Sequence, residues 1–348
     1  MSKHIKYPSI EQYRHVVSSV NRSYNYIGMD ENDQPIFDPS IQKPTLTFKG
    51  TVKIHGTNSG VSYNSTNGMY FQSRKNVITP QKDNAGFAFW ADSKRDVFTD
   101  LINKIIEENK IDTSKQTITI YGEWAGKGIQ KGIAVAELPK SFYLFGVKIS
   151  EPEVDAYWIP CEKIGNDLQE HNIHNIYDFE TFLVDIDFKH PEIAQNGIVE
   201  LTIAVENECP VAKQLGVSGI GEGIVFSHVS DRYKLMFKSK GEKHSKSKVK
   251  TIKEVDVTKL ELIQNVVDKV TPEWRLEQFL VETFDLQNGG EITRKKMGDY
   301  IRAVINDVMK EDSDIISDAG LEPNDVNKVI STKVRDYFFK KEKEFTGL

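Results

Sequence analysis

The chain is poor in cysteine. Its 348 residues include two, Cys161 and Cys209, far apart and in no C-x-x-C spacing. That argues against a disulfide framework and a cysteine-built zinc site, and it fits a reducing cytosol. Long apolar runs are missing as well. Nothing approaches the roughly 20 residues that cross a bilayer. The opening MSKHIKYPSI has no apolar stretch of the kind that leads a secreted chain. The expectation is a soluble, cytoplasmic protein with no membrane partner. A strong positive charge is also absent. With a formal net charge of −6 the chain is no polycation, so any surface for nucleic acid must be a local patch. There is no internal repeat and no long low-complexity tract.

What is present is the composition of a globular protein, in enough length for two domains and a substantial core. PSIEQYRHVVSSVN reads as a short helix. Ser9 is its candidate N-cap, Gln12 follows three residues on, and Tyr13, Val16, Val17 and Val20 share one face. From about residue 43 to 240 the text is strand-like, in short runs of Val, Ile, Thr, Tyr and Phe divided by Gly and Asn. Helical text such as RDVFTDLINKIIEENK interrupts it. After about 250 the strands stop. TPEWRLEQFLVETF sets Thr271 as N-cap and Pro272 at the first helical position. Met297, Tyr300, Ile301, Val304, Ile305 and Val308 recur at helical spacing, as do Val326, Val329, Ile330, Val334, Tyr337 and Phe338. The fold class is therefore α+β: a strand-rich body over 1–248, then a small all-α C-terminal domain over 249–348. The seam lies in the lysine-rich KGEKHSKSKVKTIKE.

The stretch TVKIHGTN follows a strand-like run. Leu46, Phe48, Val52 and Ile54 share one parity; Thr47, Lys49, Thr51, Lys53 and His55 share the other. Lys53 therefore points away from the apolar face. Taken alone it is a solvated strand lysine, the usual state of that residue. Farther on, YKLMFKSK puts Lys234, Lys238 and Lys240 on one strand parity. Two ammonium groups two residues apart can grip one phosphate from one side of a strand and offset its charge during displacement at phosphorus. They would also lower the pKa of a neighbouring lysine from about 10.4, as an amine nucleophile requires. The alternative is a basic edge strand that discourages aggregation. Glu222 sits at the mouth of the glycine-rich turn GVSGIG and suits a Mg²⁺ site, directly or through water. Glu123 ends the strand TITIYGE, and Phe145 lies in the apolar run FYLFGV.

Together these segments resemble a known motif set. KIHGTN matches the K-x-x-G motif of covalent nucleotidyltransferases, in the K-x-H-G-T-N form of the RNA ligase 2 family, which includes phage nick-sealing and RNA-editing ligases. SRKNVITP, IYGEWAGKGIQ, FYLFGVKI, EGIVFS and LMFKSKGEKHS follow in that family's order. The resemblance implies a nucleotidyltransferase (ATP-grasp-like) antiparallel-sheet fold for the body and an ATP-dependent RNA ligase that uses Mg²⁺ or Mn²⁺. Its implied catalytic residues are Lys53, which would carry AMP, with Lys238, Lys240 and the metal-binding Glu222. Val52, Ile54, Asn58, Arg74, Glu123, Phe145 and both motif lysines would contact the nucleotide: Phe145 stacking on adenine, Glu123 holding the ribose hydroxyls. His55, Lys234 and Lys243 are candidate substrate contacts. The implied partner is RNA with 3′-OH and 5′-phosphate ends, bound by a monomer in the cytoplasm (host cytoplasm if phage-encoded).

Two positions depart from the family pattern: Gly146 stands where an acid often follows the stacking aromatic, and Ser227 where a lysine often ends its motif. A DNA ligase or capping-type enzyme would usually have an acid where this chain has His55, and an OB-fold where this tail reads helical. A silent RNA-binding relative would not need the full set of charged residues. GEWAGKG is one residue short of a P-loop, and HNIH at 171–174 lacks further metal ligands and reads as solvent-facing.

Overall fold

The computed structural model describes residues 2–29, 33, 35–38, 41–230, 235–244, 252 and 254–346. The chain divides into two compact units, Met1–Val17 with Thr45–Lys253 and Ser18–Pro44 with Glu254–Leu348.

The first unit is built on two mainly antiparallel sheets. One has five strands in the order Glu11–Gln12, Met236–Lys240, Gly223–His228, Thr45–Val52 and Thr181–Asp187. Only the two-residue edge strand runs parallel to its neighbour, with Glu11 opposite Phe237 and Gln12 opposite Lys238. That pairing holds residues 11–12 extended. The N-terminal helix therefore runs Tyr13–Asn25 and starts beyond the point that a Ser9 cap predicts. The helix Ala194–Asn207 lies on this sheet, burying Ile198, Thr202, Val205 and Glu206.

The second sheet runs Val154–Ile159, Ser141–Glu151, Thr117–Ala125, Thr57–Asn64, Gly68–Ser73 and Val77–Ile78, with Ile173–Asn175 added in parallel to Ser141–Glu151. Helices Phe87–Asp92 and Arg95–Asn109 cover one face. Phe87, Phe98, Ile102, Trp124, Phe142 and Leu144 form the centre of that core. The extra parallel strand buries His174 against Tyr143, ring centroids 5.3 Å apart. This corrects the solvent-facing reading of that histidine.

Strands Thr45–Val52 and Thr57–Asn64 belong to different sheets, so residues 53–56 are the link between them. The K-x-H-G segment is thus the point where the chain crosses from one sheet to the other.

The second unit holds a hairpin, Tyr26–Met29 with Pro35–Phe37, and helices Val257–Val270, Glu273–Phe284, Met297–Glu311, Ser313–Asp318 and Pro323–Thr346. Its core is the periodic set read from sequence: Tyr300, Val304 and Val308 pack with Val326, Ile330, Val334 and Phe338, joined by Leu280 and Phe284. One cap shifts. Pro272 itself is the N-cap of Glu273–Phe284, in an extended conformation. Thr271 instead donates its hydroxyl to Val267 O at 2.6 Å, closing the preceding helix. No helix among the described residues is long and apolar enough to cross a membrane.

Candidate active site

A cavity of about 400 Å³ opens in the first unit, lined from both sheets. Lys53 enters it one residue past the end of Thr45–Val52, its main-chain N–H bonded to Gly223 O at 2.8 Å. Val52, Ile54 and His55 line the cavity beside it. Gly56 has a steric reason: a Cβ there would meet Trp124 O at 2.3 Å. The link must pass that close to the neighbouring strand, so only glycine fits.

Glu222 is the centre of the charge arrangement. It is 2% exposed and precedes Gly223, whose φ of +141° and close approach to Ser239 O both require glycine. Lys53 Nζ donates to Glu222 Oε2 at 2.7 Å, and Lys240 Nζ donates to Oε1. His55 Nδ1 lies 3.3 Å from Oε2. Burial alone would raise the pKa of this carboxyl, but hydrogen bonding with His55, the Lys53 charge and the Lys240 bond hold it far below the usual carboxylate range. A carboxylate so buried persists ionised because cations surround it.

Lys238 and Lys240 lie on Met236–Lys240 with buried Ser239 between them, so both ammonium groups face the cavity. Lys238 Nζ donates to Ile10 O at 2.9 Å. Burial and the charges of Lys240, Lys53 and Arg74 lower its pKa. Arg74 comes from the exposed turn after Gly68–Ser73 and also lines the cavity.

The second sheet supplies the opposite wall. Asn58 and Glu123 pair across Thr57–Asn64 and Thr117–Ala125. Glu123 Oε1 accepts the Gly56 N–H at 3.1 Å, while Gln130 Nε2 donates to Gly56 O at 3.1 Å, so the main chain is held on both sides of the Gly56 Cα. Loss of water pushes Glu123 up to about 7, against the pull of Lys53 and the Gly56 N–H and with a further push from Glu222. Phe145 reaches the cavity through a β-bulge. Tyr121 pairs with Gly146 and Gly122 with Leu144, leaving Phe145 as the extra residue. Phe142 and Leu144 face the core before the bulge, Val147 and Ile149 after it, and Tyr143 and Phe145 line the cavity.

The structure thus brings Lys53, Val52, Ile54, His55, Asn58, Arg74, Glu123, Phe145, Glu222, Lys238 and Lys240 around one space. Lys243 is exposed and does not line it. Lys234 lies outside the described residues. Sequence reasoning missed Tyr7, whose ring meets Phe145 edge-on at 5.0 Å. Residues around it are tied to the second sheet: Ile5 exchanges hydrogen bonds with the Gln72 amide, and Tyr121 Oη donates to Ile5 O at 2.7 Å. No local pattern in IKYPS signals this. Gln130 lay within a quoted motif, but its bond to Gly56 depends on a loop path that text does not show.

The chain belongs to the RNA ligase family, whose sequence model matches residues 47–249. A comparison with curated proteins finds no match. Among solved structures, a Naegleria gruberi RNA ligase mutant with AMP and Mn is similar at 15% identity and TM-score 0.43, over 70% of this chain and 58% of that one. A second mutant of that enzyme, with ATP and Mn, is similar at 16% identity, TM-score 0.43 and the same coverage. The enzyme with PPi is similar at 15% identity and TM-score 0.42. The matched region spans 58% of the length of these relatives.

Proposed function

We propose that this chain is an ATP-dependent RNA ligase of nucleotidyltransferase architecture, joining 3′-OH and 5′-phosphate RNA ends in the cytoplasm. The observation that carries the reading is the convergence of Lys53, Lys240 and His55 on Glu222 in a cavity that also holds Lys238, Glu123 and Phe145.

In this reading the Lys53 amine, once neutral, attacks the α-phosphorus of ATP. The N–P bond forms, the bond to the β-phosphate oxygen breaks, pyrophosphate leaves, and the amine proton passes to solvent. An oxygen of an RNA 5′-phosphate then displaces Lys53 from phosphorus. This returns the amine and leaves an RNA-adenylate. Finally the 3′-OH attacks that activated phosphate, loses its proton, and AMP departs. Lys238 and Lys240 offset the phosphate charge from one side of their strand. Phe145 offers a face for the base, and Glu123 an acceptor for ribose hydroxyls.

The donor set fits a divalent cation held sparsely. The described residues contain no cluster of three or more His, Cys, Asp or Glu that would cage one. Glu222 is a single ionised carboxylate beside the phosphate-gripping lysines, and Mg²⁺ or Mn²⁺ bound through one carboxylate with water and substrate phosphates matches that supply. Such an ion would neutralise phosphate charge during transfer. It would also compete with Lys53 for Glu222, so the pairing seen here is one the nucleophile must leave.

The test is intact-mass spectrometry after incubation with ATP and Mn²⁺, followed by addition of nicked or free RNA and DNA ends. One AMP added to the wild type and none to Lys53→Ala is expected, with transfer to RNA ends. An adduct that persists in Lys53→Ala, or that forms with GTP in preference to ATP, overturns the assignment. Sealing of DNA alone would make the chain a DNA ligase.

A further inference from the structure

The helix Ala194–Asn207 contains none of the motifs, yet three of its residues hold the two strand ends that carry Glu222 and Lys240. Thr202 is 3% exposed and Glu206 is 7% exposed. With Val205 they occupy i, i+3 and i+4 positions and so share the face turned to the sheet.

Thr202 Oγ1 lies 2.6 Å from Ile198 O and 2.7 Å from Ser239 Oγ. A threonine hydroxyl has one proton. It is the donor toward both oxygens, so that proton is shared between the helix carbonyl and Ser239. Ser239 stands between Lys238 and Lys240 and points to the opposite face of the strand. The helix therefore grips the strand at the residue that divides the two cavity lysines.

Glu206 acts immediately downstream. Its Oε1 accepts the Lys243 main-chain N–H at 2.8 Å. Gly241 packs so closely on the same carboxyl that a Cβ there would meet Oε1 at 2.0 Å. The turn leaving Lys240 is thus seated on Glu206. On the other strand end, Val205 O accepts the Gly221 N–H at 3.1 Å, one residue before Glu222. The same close approach excludes a side chain at Gly221, where a Cβ would lie 2.6 Å from Val205 O.

From this geometry we propose that Thr202 and Glu206 are positioning residues that fix Lys238 and Lys240 relative to Glu222 for phosphoryl transfer. The proposal rests on the ligase reading above. One helix face sets the spacing between the carboxylate and the two cations by holding both strand ends against a single rigid element. A shift of an ångström at such a site is enough to cost about a hundredfold in rate. Neither side chain lines the cavity, so their effect passes through Ser239 and the 241–243 turn.

The experiment is single-turnover self-adenylylation over a range of ATP concentrations, on the full chain, with thermal midpoints measured in parallel. Thr202→Val and Glu206→Ala are expected to slow the maximal rate at least tenfold. Thr202→Ser and Glu206→Gln keep a hydroxyl and an acceptor and should stay within about threefold of wild type, far short of the roughly hundredfold cost of losing a transition-state contact. Ile198→Ala, a cavity in the same buried helix face, is the stability control and should keep the rate while lowering the midpoint. The proposal is overturned if Thr202→Val adenylylates at the wild-type rate, or if Ile198→Ala slows the reaction as much for an equal loss of midpoint. If Glu206→Ala does not fold, the Thr202→Val and Thr202→Ser pair decides alone. A wild type that forms no adduct would instead refute the ligase reading itself.

Discussion

Lys53 Nζ and Glu222 Oε2 meet at 2.7 Å although 169 residues separate them in the chain. The contact joins the link between the two sheets to the mouth of a strand in the first sheet. Glu222 also takes Lys240 and adjoins His55. Removing its charge leaves the two ammonium groups facing one another.

Glu222→Gln should therefore fold but adenylylate at least about a hundredfold more slowly, the usual order for losing one charge contact in a transition state. Its stability should fall by roughly 1.5–3 kcal/mol, the range for a hydrogen bond to a charged group. Single-turnover adenylylation and urea denaturation measure the two effects. A variant with the normal rate would remove Glu222 from the chemistry.

The paired lysines are held differently. Lys240 is bonded to Glu222, and Lys238 to the main-chain oxygen of Ile10. If both offset phosphate charge, Lys238→Ala and Lys240→Ala each reduce adenylylation by at least about a hundredfold. Arginine at either place should rescue only in part, since a planar fork does not replace a compact ammonium group. Normal rates in both alanine variants would remove the two lysines from the chemistry.

The two cavity carboxyls titrate in opposite directions, which separates them by pH. Glu222 has a folded pKa below its ordinary 4.5. Its contribution to stability is present above about 4.5 and is lost as pH falls below it. Glu123 is raised from 4.5 to about 7. Between those values the folded state keeps a proton that the unfolded state has released, so its term lowers stability as pH rises from 4.5 to 7. Glu123→Gln should abolish that decline, and Glu222→Gln should flatten the acid limb below it. Denaturation midpoints across pH 3.5 to 8, roughly the span between the ordinary carboxyl range and full ionisation of Glu123, decide it. Because an ionised acceptor binds hydroxyls better, ATP affinity should also rise as pH passes about 7, and lose that rise in Glu123→Gln.

How much of this was legible in the sequence depends on the range of the interaction. Strand parity placed Lys238 and Lys240 on one face and Lys53 on the polar side, since alternation is a local property. Helical spacing found the faces of Met297–Glu311 and Pro323–Thr346 for the same reason. Alternation alone does not place Phe145, because a bulge resets it within the strand; only the motif resemblance pointed to the nucleotide. The start of the first helix was misplaced because residues 11–12 answer to a strand more than two hundred positions away. Tyr7, Gln130, Thr202 and Glu206 escaped because each acts through a contact that only the folded sheets create.

The helical unit offers a different reading of charge. Several of its basic residues are committed to its own acids. Arg294 forks onto Glu342, Arg302 pairs with Asp299, and Lys333 with Asp268. Lys295, Lys296, Lys328 and Arg335 are exposed and form no ion pair among the described residues. Phosphate binding follows such local cations rather than net charge. If this unit grips RNA, replacing these four by alanine leaves adenylylation by ATP at its wild-type rate and weakens the sealing of RNA ends. Each lost phosphate contact should also reduce the slope of log affinity against log salt by about 0.9 for a duplex. Adenylylation and nick sealing, measured side by side over a salt series, test both halves. Unchanged sealing with an unchanged salt slope would assign these cations to solvent alone. Loss of adenylylation as well would mean that the unit supports nucleotide chemistry rather than substrate binding.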